Sequence, residues 1–556
     1  MKVADLVIKC LEKEGVRFVF GLPGEETEDL LFSLEKSSIT FIPTRMETGA
    51  AFMADVYGRI TGKAGVCLAT LGPGATNLLT GVADAHLDKS PVVAITGQGS
   101  SNRIHKESHQ NLDIVNMFRP ITKWSTSIQN PDITTEVVRK AFKLAEMEKP
   151  GATHFELPED IAKMECQLDP ISPRTVRRAS PDFKAIDQAA QIIKNARTPL
   201  ILAGNGAIRK LASKHLRQFV GLTHVPVIST FMGKGSISDN DEHSLFTVGL
   251  KGRDLVMCAI DRADLIITVG YDIAEYAPEF WNEHKSKKII HIDFLPAEVY
   301  EYYQPEVEIV ADVSGILWEL NKKVIEDNIS FDPKWYKPLR DRIIEGFDSY
   351  RLKDNSREFT VPGVLHLVRR NMNPGDILIS DVGSHKVWIG RNYPVYEPNS
   401  AIISNGLASM GIALPGGIAA KLAHPEKQIV TIMGDGGFLM NSQEIETARR
   451  IGVGFTIIVF NDNDYGLISW KQVKHSGKSF GTRLTNPDFK MYAESFGIKG
   501  YAPKTVEELK NDLKRAITSQ ELSLIEIPID SRINHELTKK LESNLCEAFE
   551  FPQKRG

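Results

Sequence analysis

Lys427-Gln428-Ile429-Val430-Thr431-Ile432-Met433-Gly434-Asp435-Gly436-Gly437 and Gly454-Phe455-Thr456-Ile457-Ile458-Val459-Phe460-Asn461-Asp462-Asn463-Asp464-Tyr465-Gly466 are two halves of one unit. Each half is an apolar run of strand length that ends in glycine and acidic or amide residues. Between them, Asn441–Ile451 reads as a helix with Ile445, Ala448 and Ile451 on one side, and Gly434–Gly437 reads as a turn. Strand, helix and strand in this order make a crossover that leaves both strands parallel. Asp435 and Asp462, 27 positions apart in the chain, then emerge together at the carboxyl ends of neighbouring strands.

Ligands bind at that edge of an open α/β sheet. The glycines allow main-chain N–H groups to approach an anion closely, and the following helix N-terminus attracts it. Two carboxylates beside a bound diphosphate would repel each other and the ligand. A hard cation resolves the conflict, because Mg²⁺ takes oxygen ligands and joins one or two carboxylates to phosphate oxygens.

The same alternation runs through the chain. Val16–Phe20, Gly65–Thr70, Val92–Thr96, Leu200–Ala203, Leu265–Val269, Ile289–Ile292 and Ile377–Ser380 are further apolar runs. Longer amphipathic stretches separate them, the pattern of doubly wound parallel sheets. At 556 residues the chain is too long for one core. Asp169–Asp187 is rich in Pro, Ser and Arg and reads as a linker, and Asp327–Phe359 is charged and helical before the chain restarts at Val361. Three α/β domains follow, 1–175, 185–345 and 355–530, with a tail over 531–556. That tail carries a Lys-rich helical stretch and then Phe549, Phe551 and Pro552, and reads as a lid or a frayed end. A net charge of −4 with scattered Lys and Arg argues against a nucleic-acid partner. No apolar run reaches the roughly 20 residues that span a bilayer, and Asp5 interrupts any secretory leader. Cys10, Cys67, Cys166, Cys258 and Cys546 lie far apart and read as reduced thiols of a cytoplasmic protein.

Gly434-Asp435-Gly436 followed by Asn461-Asp462 resembles the binding motif of thiamine-diphosphate-dependent enzymes. The resemblance implies three α/β domains that are pyrimidine-binding, central and diphosphate-binding in turn. It also implies Mg²⁺ held by Asp435, the side chain of Asp462 and the main-chain carbonyl of Asp464. Gly437, Asn463, Tyr465, Gly466, Leu467 and Ile468 belong to the same cofactor-binding stretch. Position 462 is Asp where the commonest form of the motif has Asn; an oxygen ligand is kept and a negative charge is added. Arg45-Met46-Glu47-Thr48-Gly49-Ala50-Ala51 resembles the family segment whose glutamate bonds the aminopyrimidine and favours the imino tautomer, which deprotonates the thiazolium carbon. Gly21-Leu22-Pro23-Gly24 and Leu71-Gly72-Pro73-Gly74-Ala75-Thr76-Asn77 resemble the loops on either side of it. Asp381-Val382-Gly383-Ser384-His385 resembles a further diphosphate loop. Ser404–Gly411 resembles the segment that bends the cofactor, with Met410 as the apolar wedge and the Ala408 carbonyl as acceptor. The likeness covers everything except the tail, and implies a homodimer or homotetramer with active sites at subunit interfaces.

Within that family the chain is most similar to acetolactate synthases, which decarboxylate pyruvate and join the two-carbon unit to a second 2-oxo acid. Gly270-Tyr271-Asp272, Glu275-Tyr276, Pro278 and Trp281-Asn282 resemble the fermentative, FAD-free type, as do His109-Gln110 with Asp113. Gln110 is placed by this likeness near substrate, where an amide can bond a developing oxyanion. Trp470 and Phe231-Met232-Gly233-Lys234-Gly235 resemble the biosynthetic type instead, with Trp470 as a substrate-pocket residue. Tyr276 stands where the biosynthetic enzymes have an arginine for the acceptor carboxylate. The alternatives are another 2-oxo acid decarboxylase or carboligase of the family and an FAD-dependent pyruvate oxidase. The missing flavin-type run argues against FAD, and the absence of adjacent histidines in the first domain argues against a simple decarboxylase.

Overall fold

The computed structural model describes residues 1–542, apart from 175–177, 210, 250–253 and 355, together with Cys546. Three sheets of six parallel strands are interleaved with helices. The first holds β1 Phe18–Gly21, β2 Thr40–Pro43, β3 Gly65–Ala69, β4 Val92–Gln98, β5 Ser125–Ser127 and β6 Ala152–Pro158, in the order β2-β1-β3-β4-β6-β5. The second holds β7 Pro199–Ala203, β8 Val227–Ser229, β9 Ser244–Thr247, β10 Leu265–Val269, β11 Lys288–Asp293 and β12 Val307–Val310, in the order β12-β11-β10-β7-β8-β9. The third holds β13 Ile377–Ser380, β14 Ala401–Ile403, β15 Ile429–Gly434, β16 Thr456–Asn461, β17 Lys499–Tyr501 and β18 Ser523–Pro528, in the order β14-β13-β15-β16-β18-β17.

Every apolar run read from the sequence is a strand, because its residues are buried on both faces of a sheet that helices cover. The first and third sheets share one strand order, and in each the order of strands reverses between its first strand in the chain and its third. In the third sheet that reversal lies between β13 and β15, which positions a ligand crevice at their carboxyl ends.

The N-terminal and C-terminal domains share a core. Small residues on helix Glu47–Thr61 and helix Ala413–Ala423 let the two backbones close together; a Cβ on Gly416 would lie 2.8 Å from Val56 Cγ2. Phe52, Met53 and Val56 from one domain pack with Ile379, Ile418 and Phe438 from the other.

Two sequence expectations need correction. Gly434–Gly437 is not a turn: β15 runs into a helix, Asp435–Asn441, and a second helix, Glu444–Arg450, follows. The strand thus delivers Asp435 to a helix N-terminus. Near the expected 185 boundary, helix Phe183–Asn195 is capped by the Asp182 side chain. The cysteines are not all reduced, since Cys258 and Cys546 form a disulfide while Cys10, Cys67 and Cys166 are free and buried. Their separation of 288 residues hides the pair in the sequence. Docking of the C-terminal segment brings them together: on helix Ile533–Glu542 Leu537 is buried and Asn534 accepts the Trp388 indole N–H at 2.8 Å. Phe549, Phe551 and Pro552 lie outside the described residues. Among those described, no helix is long and apolar enough to cross a membrane.

Candidate active site

The crevice at the β13/β15 reversal has a volume of about 250 Å³. Register pairs Gly434 with Phe460, so Asp435 and Asp462 leave adjacent strands at the same edge. Gly434, Asp435, Gly436, Gly437, Asp462, Asp464, Tyr465, Gly466, Leu467 and Ile468 line the crevice. Gly383, Ser384 and His385 face them from the end of β13, and Ala408 and Met410 close one side. Val361, Val382, Phe460 and Ile529 complete the apolar wall.

Asp435 is only 1% exposed. Its carboxylate accepts from the Gly436 N–H at 2.8 Å and from Asn486 Nδ2 at 2.7 Å, and burial holds its pKa above the usual carboxylate range. Asp462 is pushed up to about 7, first by burial and then by the charges of Asp435 and Asp464. Asn463 takes a left-handed conformation at φ 53°, and its carbonyl accepts from the Leu484 N–H at 2.8 Å. The side chain of Asn486 reaches three residues of this loop region, donating also to Asn461 Oδ1 at 3.0 Å and Asn463 Oδ1 at 3.1 Å.

A cation beside an anionic ligand fits what is present. Two desolvated acids repel one another, and among the described residues the buried Asp464 Oδ1 and His385 Nε2 have no hydrogen-bond partner. The backbone leaves a cradle: a Cβ on Gly437 would lie 2.8 Å from Asp381 Oδ2, and one on Gly466 would lie 2.7 Å from Asp462 Oδ2. Burial lowers His385 to about 4, so the imidazole is neutral. Among the described residues no three His, Cys, Asp or Glu side chains converge into a ready-made metal cage. A cation here would need ligand oxygens to complete its shell, as Mg²⁺ does when it binds with phosphate.

The loop carrying Ala408 and Met410 is held from both ends. Asp381, fully buried and pushed up to about 7 by that burial, accepts from the Gly411 N–H at 2.8 Å. At the other end, Asp88 accepts from the Asn405 N–H at 3.2 Å, and Asp84 accepts from the Ser404 hydroxyl at 2.7 Å. Asp84 and Asp88 belong to the N-terminal domain, where Arg59 pairs with both and with Asp55 at 2.6 to 2.9 Å. Between these anchors Ala408 sits at φ 60°, a strained value for a residue with a Cβ.

Glu47 opens helix Glu47–Thr61 at 5% exposure. Its Oε2 accepts from Asn77 Nδ2 at 3.0 Å, and Thr48 Oγ1 donates to the Asn77 carbonyl at 2.6 Å. Gln110, at φ 57° on an exposed loop with His109, lies against Gly72, where a Cβ would meet the Gln110 Cβ at 2.9 Å. Pro23, Gly24, Glu47, Pro73, Asn77, His109 and Gln110 thus sit on the N-terminal domain, and none of them lines the crevice of the same chain. Nor does Trp470, whose indole N–H donates to Thr538 Oγ1 at 2.5 Å and whose ring packs on the C-terminal core. The Gly270–Asn282 run belongs to the central domain and touches both others: Asp272 pairs with Lys149 at 3.7 Å, and the Glu275 carbonyl accepts from Asn405 Nδ2 at 3.1 Å. Tyr276 is buried, Trp281 Nε1 donates to the Tyr271 hydroxyl at 3.2 Å, and Glu275, pushed up to about 8 by burial, accepts from the Asn205 N–H at 3.0 Å. Asn486, Asp84, Asp88 and Arg59 escaped the sequence reading, because they meet the site only through residues distant in the chain. Asp381 was read only as part of its loop.

Residues 1–117 match the N-terminal TPP binding domain of the thiamine pyrophosphate enzymes, 186–320 their central domain and 381–527 their C-terminal TPP binding domain. Fold, crevice and these matches define a thiamine-diphosphate-dependent enzyme of three domains. The chain is 36% identical over 543 residues, 97% of its own length and of the relative's, to the catabolic acetolactate synthase of Raoultella terrigena. It is 32% identical to the acetolactate synthase of Bacillus subtilis (strain 168), covering 96% of this chain and 94% of that one. It is 31% identical to the large subunit of acetolactate synthase isozyme 2 of Escherichia coli (strain K12), with 96% of each covered. The chain belongs to the acetolactate synthase family of thiamine-diphosphate enzymes.

Proposed function

We propose that the enzyme decarboxylates pyruvate and joins the remaining two-carbon unit to a second 2-oxo acid, releasing acetolactate and CO₂. The observation that carries this reading is the Asp435–Asp462 pair at adjacent strand ends in a crevice walled by Met410, in a chain alike over nearly its whole length to acetolactate synthases. Asp435, the Asp462 side chain and the Asp464 carbonyl would hold Mg²⁺, which would neutralise the charge of a diphosphate beside the glycine cradle. Bound thiamine diphosphate supplies a nucleophilic carbon and an electron sink.

The chain's own residues do the rest. Met410 and the strained Ala408 set the shape against which the cofactor folds, and Asp381 with Asp84 and Asp88 keeps that shape fixed. Glu47 holds and moves a proton at the aminopyrimidine. Gln110 donates to oxygen on the substrate side. Glu47 and the crevice lie apart within one chain, which supports a dimer in which one protomer's N-terminal domain closes its partner's crevice. The test is purified enzyme with thiamine diphosphate, Mg²⁺ and pyruvate and no added FAD. Acetolactate is the expected main product; acetaldehyde alone, or no turnover until FAD is supplied, overturns the reading.

A further inference from the structure

Helix Glu47–Thr61 begins without the usual side-chain cap, since Met46, its N-cap residue, makes no capping hydrogen bond. The main-chain N–H groups just before Glu47 are bound from another domain. Arg45 N donates to Glu444 Oε1 at 3.0 Å and Oε2 at 3.3 Å, and Met46 N donates to Glu444 Oε1 at 3.1 Å. Glu444 is fully buried at the start of helix Glu444–Arg450 in the C-terminal domain, and the Thr447 hydroxyl donates to its Oε2 at 2.6 Å. The approach is close: a Cβ on Gly49 would lie 2.9 Å from Glu444 Oε1. Thr44, whose hydroxyl donates to the Met46 carbonyl at 3.0 Å, ties the same loop from its own side.

A buried carboxylate is expensive unless its acceptor capacity is used. Here two successive N–H groups and a hydroxyl use it. Oε1 receives both N–H groups, while Oε2 receives the Thr447 hydroxyl and a longer second bond from the Arg45 N–H. Asn77 fixes the Glu47 side chain, and Glu444 fixes the backbone from which that side chain projects.

We propose that Glu444 is a positioning residue for the proton transfer at Glu47, acting by clamping Arg45 and Met46. The inference rests on Glu47 being the residue that activates the cofactor. Misplacing a reacting group by about 1 Å costs on the order of 10²-fold in rate, so loosening this clamp slows activation without touching the diphosphate crevice.

Glu444→Gln keeps the shape but removes the charge behind both N–H bonds and puts an NH₂ where Oε2 faces the Thr447 hydroxyl and the Arg45 N–H. Glu444→Asp keeps the carboxylate on a shorter stem. Four measurements apply to each, with Glu47→Gln alongside: main-chain amide exchange over 41–53 in cofactor-free protein, thiazolium C2 proton exchange on the loaded enzyme, cofactor affinity by calorimetry, and melting temperature. Glu444→Gln is expected to speed amide exchange at Arg45 and Met46 and slow C2 exchange, each by about tenfold or more. Cofactor affinity stays close to wild type, and Glu444→Asp recovers part of both rates. Slow C2 exchange in Glu47→Gln with a wild-type rate in Glu444→Gln overturns the clamp while leaving Glu47 as activator. So does a fall in melting temperature and affinity with C2 exchange unaltered. If Glu444→Gln does not fold, Glu444→Asp is judged by the same criteria. A wild-type C2 rate in Glu47→Gln removes the reading on which the clamp depends.

Discussion

Replacing Arg59 with methionine tests how the N-terminal domain holds the Ala408–Met410 loop. Arg59 pairs with Asp55 at 2.8 Å, Asp84 at 2.9 Å and Asp88 at 2.6 Å, and all three carboxylates are fully buried. Burial works against the charge on the guanidinium, and the carboxylates outweigh it. Methionine fills similar volume but leaves three clustered carboxylates, two of which, Asp84 and Asp88, also act on Lys386. Removing one partner of a buried ion pair costs about 3–5 kcal/mol, a factor of about 10² to 10³·⁵ in the folding equilibrium.

The sign with pH is fixed by the same cluster. Asp84 already lies well above the usual carboxylate range, through burial and then the charges of Asp88 and Asp55. Without Arg59 the native state binds more protons than the unfolded chain, whose aspartates titrate near about 3.9. Stability then falls as pH rises from about 5 to 8. Urea unfolding of Arg59→Met, followed by tryptophan fluorescence, should show its first transition at lower urea than wild type, with the gap wider at pH 8 than at pH 5.5. Adding Asp84→Asn should recover part of the loss. A first transition within about 1 kcal/mol of wild type at both pH values refutes the reasoning.

Glu47→Gln should melt like wild type while turnover falls by about 10² to 10⁴, the range for loss of a positioned acid–base group; kinetics beside a melting curve decide it. Asp435→Ala should abolish Mg²⁺-dependent retention of thiamine diphosphate by calorimetry, and Asn486→Ala should weaken it by at least about 0.5–1.5 kcal/mol, the worth of its bond to Asp435 alone. Unreduced peptide mapping should recover Cys258 linked to Cys546 and leave Cys10, Cys67 and Cys166 free; a Cys258 peptide that alkylates without reduction contradicts the bond.

The sequence by itself determined the parallel α/β architecture, since apolar runs ending in Gly, Asp or Asn are local and survive any neighbour. It also determined that Asp435 and Asp462 share a sheet edge, because one crossover between parallel strands allows no other arrangement. Edge strands such as Val307–Val310, alternately buried and exposed, and the three-residue Ser125–Ser127 carry too little pattern to be read alone. Only the tertiary structure decided that Gly434–Gly437 continues into a helix, that Asn486 braces the acid loop, that Asp84 and Asp88 hold the Met410 segment, and that Glu444 meets Arg45 across 399 positions. The reason is physical: buried acids and amides are satisfied by whichever N–H or hydroxyl the packed domains bring within 3 Å, and that choice leaves no periodicity in the chain.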